Sequence, residues 1–400
     1  MSDAYDILIL GGGLVGCSLA CALQGRGYRI GLVEGSAPQA SPPGFDERKL
    51  ALAAASLQAL AVLHVLERLA TEATPIRRIH VSRAGDFGSV RLQAKDFGRE
   101  CFGGVVLARE LGEALAAQVD ACSDVDLLRP AQVVAAGHGA DCSPEVELQT
   151  ANGLRRVRCR LLVAADGARS LARAALGIGC QEHDYRQVLF VCSLQCERAS
   201  DGQAYERFSD QGPVALLPMS GGAYGAVCAV ASEDAARVAA LDDAGFADYF
   251  QQRFGWRAGR VRRVGARSRY PLLRVVAERL DAPRALLMGN AAQAIHPIGA
   301  QGFNLGLRDA LTLAERLDGG DPGRAEVLAD YVAARREDRE RTLAFSDGLA
   351  RLTAAQGLLP HAMRSFGLLA LAHVPGLAAP LVAGAMGYRG QVPALARSVA

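Results

Sequence analysis

The chain opens on a change of hydrophobic period. Ile7–Leu10 is an unbroken run of branched apolar residues, short enough for a strand buried on both faces. Positions 14, 18, 19, 22 and 23 (Leu14, Ser18, Leu19, Ala22, Leu23) then recur at helical spacing, Gly27 interrupts them, and a second apolar run covers Tyr28–Val33. The order strand, helix, strand follows. LLVAADGARSLARAALGI at 161–178 repeats the first half: an apolar strand runs into Asp166-Gly167, and a helix begins near Ala168–Ser170. DERKLALAAAS at 46–56 reads as the start of a helix that continues to about Leu69.

The texture differs at about 76–100 and 181–280. QVLFVCSLQC, GPVALLPM and YGAVCAVA are apolar or alternating, with ASDG, SDQG and SGG as turn signals between them. They predict an antiparallel sheet. Residues 365–388 carry no formal charge. Their length would suffice for a membrane span, but Pro375, Pro380 and several glycines divide the stretch into short helices. Packing on the core or on a protein partner is the preferred reading, with peripheral membrane contact open.

The patterns predict an α/β (α+β two-domain) chain. A discontinuous Rossmann-like domain covers 1–75, 101–180 and 281–345. A mostly β domain covers 76–100 and 181–280, and a helical segment covers 346–400. With 400 residues, two or more domains are expected.

Charge and cysteine narrow the function classes. Net charge is +2, from 44 basic and 42 acidic residues, so there is no electrostatic case for nucleic acid. The ten cysteines form no CxxC pair and no metal-ligand spacing. They read as buried thiols in a reducing compartment. MSDAYDILIL has no basic n-region, so it does not read as a signal peptide, and a cytoplasmic location is expected.

Candidate chemistry concentrates in the glycine-rich turns. Gly11-x-Gly13-x-x-Gly16 follows the first strand and opens the helix, and Glu34 ends the second strand. Gly11 suits the tight turn, Gly13 the approach of a pyrophosphate, and Gly16 close helix–strand packing. The helix N-terminus supplies N–H groups for phosphates, and Glu34 a carboxylate for ribose hydroxyls. Position near residue 1 leans toward FAD; the motif itself does not separate FAD from NAD. GNAAQAIHPIGAQGFNLG at 289–306 has four glycines and no formal charge. Such a loop lets a ligand approach its backbone. Arg48 is either a solvated helix-start residue or a guanidinium that reaches a pyrophosphate. Asp166 is either an N-cap or a second cofactor contact. His296 is either a proton relay or, as we weigh it, a hydrogen-bonder that fixes the loop before Pro297. No nucleophile constellation is present, and the glycines of PMSGGAYGAV lack a following helix and read as a hairpin turn.

GxGxxG near the start, DGxxS at 166–170 and G-N-A-A-x-x-x-x-P-x-x-x-Q-G-x-N at 289–304 together resemble the group A FAD-dependent aromatic hydroxylases. D-x-R-x-x-A-L-x-x-x-S at 46–56 and QGPVALLP at 211–218 are similar to their ubiquinone-biosynthesis branch. Asn290 and Gln293 stand where most of the family has Asp and His. With VVLARELGEAL at 105–115 and SDGLARL at 346–352, they narrow the likeness to members acting on 2-polyprenyl-6-methoxyphenol. Gly299-Ala300 departs from the more frequent Ala-Gly.

The resemblance implies an FAD-binding domain roofed by a substrate domain. NAD(P)H is the transient reductant, visiting without its own Rossmann domain, and O2 the co-substrate. Hydroxylation of a polyprenyl phenol, at C1 or at another ring carbon, passes through a flavin hydroperoxide. Gly11, Gly13, Gly16 and Glu34 would hold the ADP half of FAD. Arg48 would reach the pyrophosphate or the flavin edge, Arg109 would lie near the pyrophosphate, and Val133 would touch adenine through its backbone. Asp166 and Gly167 would support both FAD and the reductant. Gly289 and Asn290 would meet the ribityl chain or phosphate. Pro297, Gly299, Gln301, Gly302, Phe303 and Asn304 would line the isoalloxazine, with a helix N-terminus at Asn304 favouring its anionic form. His296 and Pro297 are the catalytic candidates. Left open are a non-catalytic flavin-binding subunit, a homodimer, assembly with other ubiquinone-biosynthesis proteins, and a peripheral site on the inner membrane.

Overall fold

The computed structural model describes residues 4–36, 48–139, 142–355, 357–374 and 376–397. Asp46 of the 46–56 motif and Pro375 of the uncharged stretch lie outside them.

The apolar runs become the centre of the first sheet. Ala4–Leu10 lies between Gly153–Ala164 and Ile30–Val33, parallel to both, and Val125–Leu128 and Ala285–Leu287 extend the parallel array. Both faces of the central strands are covered, so Ile7, Leu8, Ile9 and Leu10 are fully buried, as a parallel sheet requires. The helix at Leu14–Leu23, here called the fingerprint helix, and Gln301–Arg316, the loop helix, pack on this sheet and on each other. Ala131–His138 and Pro144–Thr150 form an antiparallel meander onto Gly153–Ala164.

The second sheet has nine strands and is mostly antiparallel. Cys180–Cys196 pairs with Tyr224–Ala231 on one side and Ser268–Ala277 on the other. Val214–Pro218, Gln203–Phe208 and Arg78–Arg83 continue it, the last pair in parallel. One face buries Phe190, Leu216, Tyr224 and Cys228 against the helix Asp243–Phe254. The other face meets the strands Lys49–Ala53 and Gly103–Leu107, with Ala204, Ile79 and Leu217 packed alongside Ala51 and Val105.

Lys49–Leu69 corrects the sequence reading. Lys49–Ala53 is a strand antiparallel to Gly103–Leu107, and the helix is only Ala54–Val62. Five residues of alternating size fit either period, and the apolar partner GGVVL decides for the ladder, a tertiary override of helix propensity. The uncharged C-terminal stretch contributes to helices Leu358–His373 and Ala379–Ala385. Among the described residues no helix is long and apolar enough to cross a membrane.

Candidate functional site

The three fingerprint glycines are required for different reasons. Gly11 has φ +106°, and a Cβ there would stand 2.5 Å from Ala165 O. A Cβ on Gly16 would stand 1.9 Å from Gly11 O. Chain packing thus accounts for both. Gly13 has φ −75° at the N-cap of the fingerprint helix, without a side-chain cap. A Cβ there would meet nothing within 4 Å. No contact within the protein requires its missing side chain; a ligand at the positive end of the helix would. Gly302, in the first turn of the loop helix, is equally open.

Glu34 sits beside this opening. Its carboxylate accepts from Gly12 N–H (3.0 Å) and Ser36 N–H (2.7 Å). Two amides orient it, and further lone pairs remain for a ligand hydroxyl. Ala131 N–H donates to Glu34 O, which brings the strand containing Val133 to the same edge. The 166–170 turn closes the other side. Asp166 Oδ2 accepts from Ala172 N–H (3.1 Å), while Ser170 caps the short helix. Asp166 Oδ1 is buried and has no partner. Gly167 takes φ +89°.

Arg48 and Arg109 come together although 61 positions separate them. Lys49 pairs with Leu107, and Ala108 N–H donates to Arg48 O. The Arg48 guanidinium lies 5.6 Å over the Tyr270 ring. Arg109 pairs with Glu113 at 3.2 Å on the helix whose Gly112 faces Leu14.

The late loop crosses the fingerprint helix at Val15, which lies against both Gly289 and Gly306. Asn290 and Pro297 are exposed. The loop helix starts at Gln301, three residues before the expected N-terminus at Asn304. Asn304 is buried, donates to Ala51 O (3.0 Å) and Ala300 O (2.7 Å), and accepts from Ala53 N–H (2.9 Å). Its amide is committed to stapling the loop helix to the Lys49–Ala53 strand. Phe303 is half-buried against the first core. Gly299 and Ala300 both have positive φ, +72° and +52°. Ala300 therefore bears the left-handed N-cap of the helix, a position that disfavours a Cβ.

His296 is buried, and burial lowers its pKa to about 4. Its ring is neutral at physiological pH. Nδ1 accepts from Ile298 N–H (3.3 Å), the ring packs edge-on against Tyr185, and His296 O accepts from Ser346 Oγ (3.2 Å). These contacts suit an anchor of the loop.

Sequence reasoning missed the ionic network beneath. Asp309 accepts from Gly289 N–H (3.2 Å), from Gln293 Nε2 (2.8 Å) and from Arg335 Nε (2.7 Å). Gln293 Oε1 accepts from Arg339 Nε (2.9 Å), and Asp338 pairs with both Arg308 and Arg335. Gln293 can bridge Asp309 and Arg339 because an amide donates and accepts at once. The only local signal was Arg308-Asp309 inside an apolar helix pattern.

Gly13, Gly302, the two helix N-termini and the unpartnered Asp166 Oδ1 fit an elongated, anionic dinucleotide. A separate cavity of about 670 Å³, lined by Arg99, Glu315, Arg316 and Tyr388 among others, contains none of these residues.

A family model described as an FAD binding domain matches residues 4–346. The chain is 37% identical over 354 residues to a ubiquinone hydroxylase, UbiL, of Rhodospirillum rubrum, covering 87% of this chain and 81% of that protein. It is 30% identical to the Escherichia coli 3-demethoxyubiquinol 3-hydroxylase, covering 84% and 85%. Among solved structures, the anhydrotetracycline hydroxylase OxyS of Streptomyces rimosus matches with TM-score 0.74 at 25% identity, covering 98% and 77%. The p-nitrophenol 4-monooxygenase PnpA of Pseudomonas putida matches with TM-score 0.78 at 17% identity, covering 97% and 99%, a likeness of fold.

Proposed function

The chain belongs to the FAD-binding domain family, and from that premise we propose an FAD-dependent monooxygenase that hydroxylates a polyprenylated phenol in ubiquinone biosynthesis, at C1 of the ubiquinone ring, the carbon para to the hydroxyl of 2-polyprenyl-6-methoxyphenol. The observation that carries the flavin part is Gly13: an open position at a helix N-terminus whose missing side chain no protein contact explains. The relatives named as ubiquinone hydroxylases support the pathway. Hydroxylation at another ring carbon is the second reading, favoured by the position printed in the name of the E. coli relative.

Bound FAD would supply the redox chemistry by which NAD(P)H and O2 place one oxygen on the ring. The chain's own residues supply the rest. The fingerprint helix N-terminus would face the pyrophosphate, with Arg48 and Arg109 beside it, and Glu34 would take the ribose hydroxyls. Asp166 Oδ1 would accept a hydrogen bond from the cofactor. The loop helix N-terminus at Gln301 favours negative charge in front of it by about 0.3–1 kcal/mol. His296, being neutral, holds the loop and adds no charge there. The second sheet roofs the site and excludes water.

We assign cofactor binding to residues 1–75, 101–180 and 281–345, the roof to 76–100 and 181–280, and a helical cover to 346–400. The exposed side chains of Leu358, Leu359, Met363 and Phe366 support a peripheral position on a membrane that holds the prenyl substrate.

Quinone profiling by mass spectrometry in a strain lacking the gene tests the reading. The accumulated precursor should lack oxygen at C1, and this chain should restore the quinone. A different missing carbon would select the second reading.

A further inference from the structure

Glu206 is a half-buried acid that the mechanism above does not use. It lies on Gln203–Phe208, where Tyr205 turns to the far side of the second sheet against Tyr224 and Phe254. By alternation, Ala204, Glu206 and Phe208 share the opposite face, where Ala204 packs with Ile76 and Val105. Strand register places Glu206 in one cross-strand row, Val81–Glu206–Ala215–Val227–Val191. The other four are apolar, and beyond Val191 the row ends on Ser268.

The row runs between two hydrophobic clusters on the same face. Ala204, Leu217, Ile79 and Ala51 belong to one; Leu189, Val191, Ala229 and Tyr270 belong to the other. This is also the face that meets the proposed cofactor end. Tyr270 lies under Arg48, Tyr185 packs on His296, and a Cβ on Gly225 would strike Lys49. Glu206 retains accessible surface, yet burial pushes its carboxyl up to about 8. A half-buried carboxyl without a protein partner is open to a ligand group on this face. No hydrogen-bond donor or cation among the described residues partners it. Charged and titratable groups on the surrounding elements are otherwise placed. Arg83 is held by Asp86 and Asp210, Lys49 lies against Gly225, and Arg48 against Tyr270. Tyr185 and neutral His296 pack on each other, and Tyr388 stacks with Arg99. Burial alone shifts Glu206.

We propose that the Glu206 carboxylate meets the phenolic hydroxyl of the bound substrate and takes its proton. The phenol O–H bond breaks, an O–H bond forms on Glu206, and the charge passes to the phenolate, enriching the ring carbon to be oxygenated. A base whose pKa lies near the working pH is suited to this task. The inference rests on the phenol substrate of the preceding reading and adds the group that activates it.

The test uses the FAD-loaded enzyme and a soluble probe, 2-prenyl-6-methoxyphenol with one isoprene unit, beside its O-methyl ether. Binding is read from flavin fluorescence. The wild type should prefer the phenol by about tenfold or more, and Glu206→Gln should bind the two alike with full FAD content. For hydroxylation, kcat/KM of the wild type should rise with pH and level off above about 8. Glu206→Gln should lose that limb and fall by about 10²–10⁴-fold, and Glu206→Asp should retain part of it. Equal binding of phenol and ether by the wild type, or an unchanged pH limb in Glu206→Gln, overturns the proposal. A phenol preference that depends on Glu206 without hydroxylated product supports the carboxyl contact and refutes the reaction assigned above.

Discussion

Exchanging Gly13 and Gly16 for alanine separates cofactor binding from folding within one motif. At Gly16 the new Cβ would stand 1.9 Å from Gly11 O, a backbone atom inside the first turn. Overpacking of this kind costs about 1–3 kcal/mol or more, so Gly16→Ala should unfold readily or fail to fold. At Gly13 the backbone has φ −75°, which alanine adopts freely, and the Cβ meets nothing within 4 Å. Alanine narrows the unfolded ensemble, a gain of about 0.4–1 kcal/mol. Against this, alanine is a poorer N-cap than glycine by a few tenths to about 1 kcal/mol. The terms offset, and apo stability should change by less than about 1 kcal/mol. The methyl group would instead occupy ground needed for the pyrophosphate. Loss of one charge-assisted hydrogen bond, about 1.5–3 kcal/mol, weakens FAD binding by about 10–150-fold. Urea unfolding of the apo proteins and FAD titration by fluorescence read the two effects independently. A Gly13→Ala protein as unstable as Gly16→Ala, or one that binds FAD with wild-type affinity, would refute the reasoning.

Three further outcomes are expected. Ala300→Gly should raise stability by up to about 1 kcal/mol, because the residue holds φ +52° at the loop-helix N-cap; unchanged urea midpoints would contradict this. Asp309→Asn removes the negative charge paired with Arg335 Nε, a side chain only 1% exposed. With Asp338 still in place, the expected loss lies near the lower end of about 3–5 kcal/mol, seen as a lowered urea midpoint. Asn290→Asp should retain FAD, since the side chain is exposed; purification of colourless protein would count against the placement.

The sequence by itself determined the nucleotide-binding half. Gly11, Gly13, Gly16 and Glu34 lie within one strand–helix–strand passage, so local period and turn chemistry suffice to place them. The same holds for the glycine-rich course of residues 289–300 and for the alternating strands of the second sheet, though the helix that follows begins at Gln301 and not at Asn304. Tertiary structure decided what depends on a distant partner. KLALA at 49–53 fits helix or strand until GGVVL pairs with it, and only that pairing brings Arg48 to Arg109. Gln293 gains its meaning from Arg339, 46 positions on, and Asn304 from Ala51 and Ala53. His296 and Glu206 look like ordinary titratable residues in a sequence. Burial makes one a neutral anchor and the other an unpartnered acid on the roof. The physical reason is common to all of these. Periodicity and turn propensity act over a few residues, whereas desolvation and strand register depend on what the rest of the chain packs against each group.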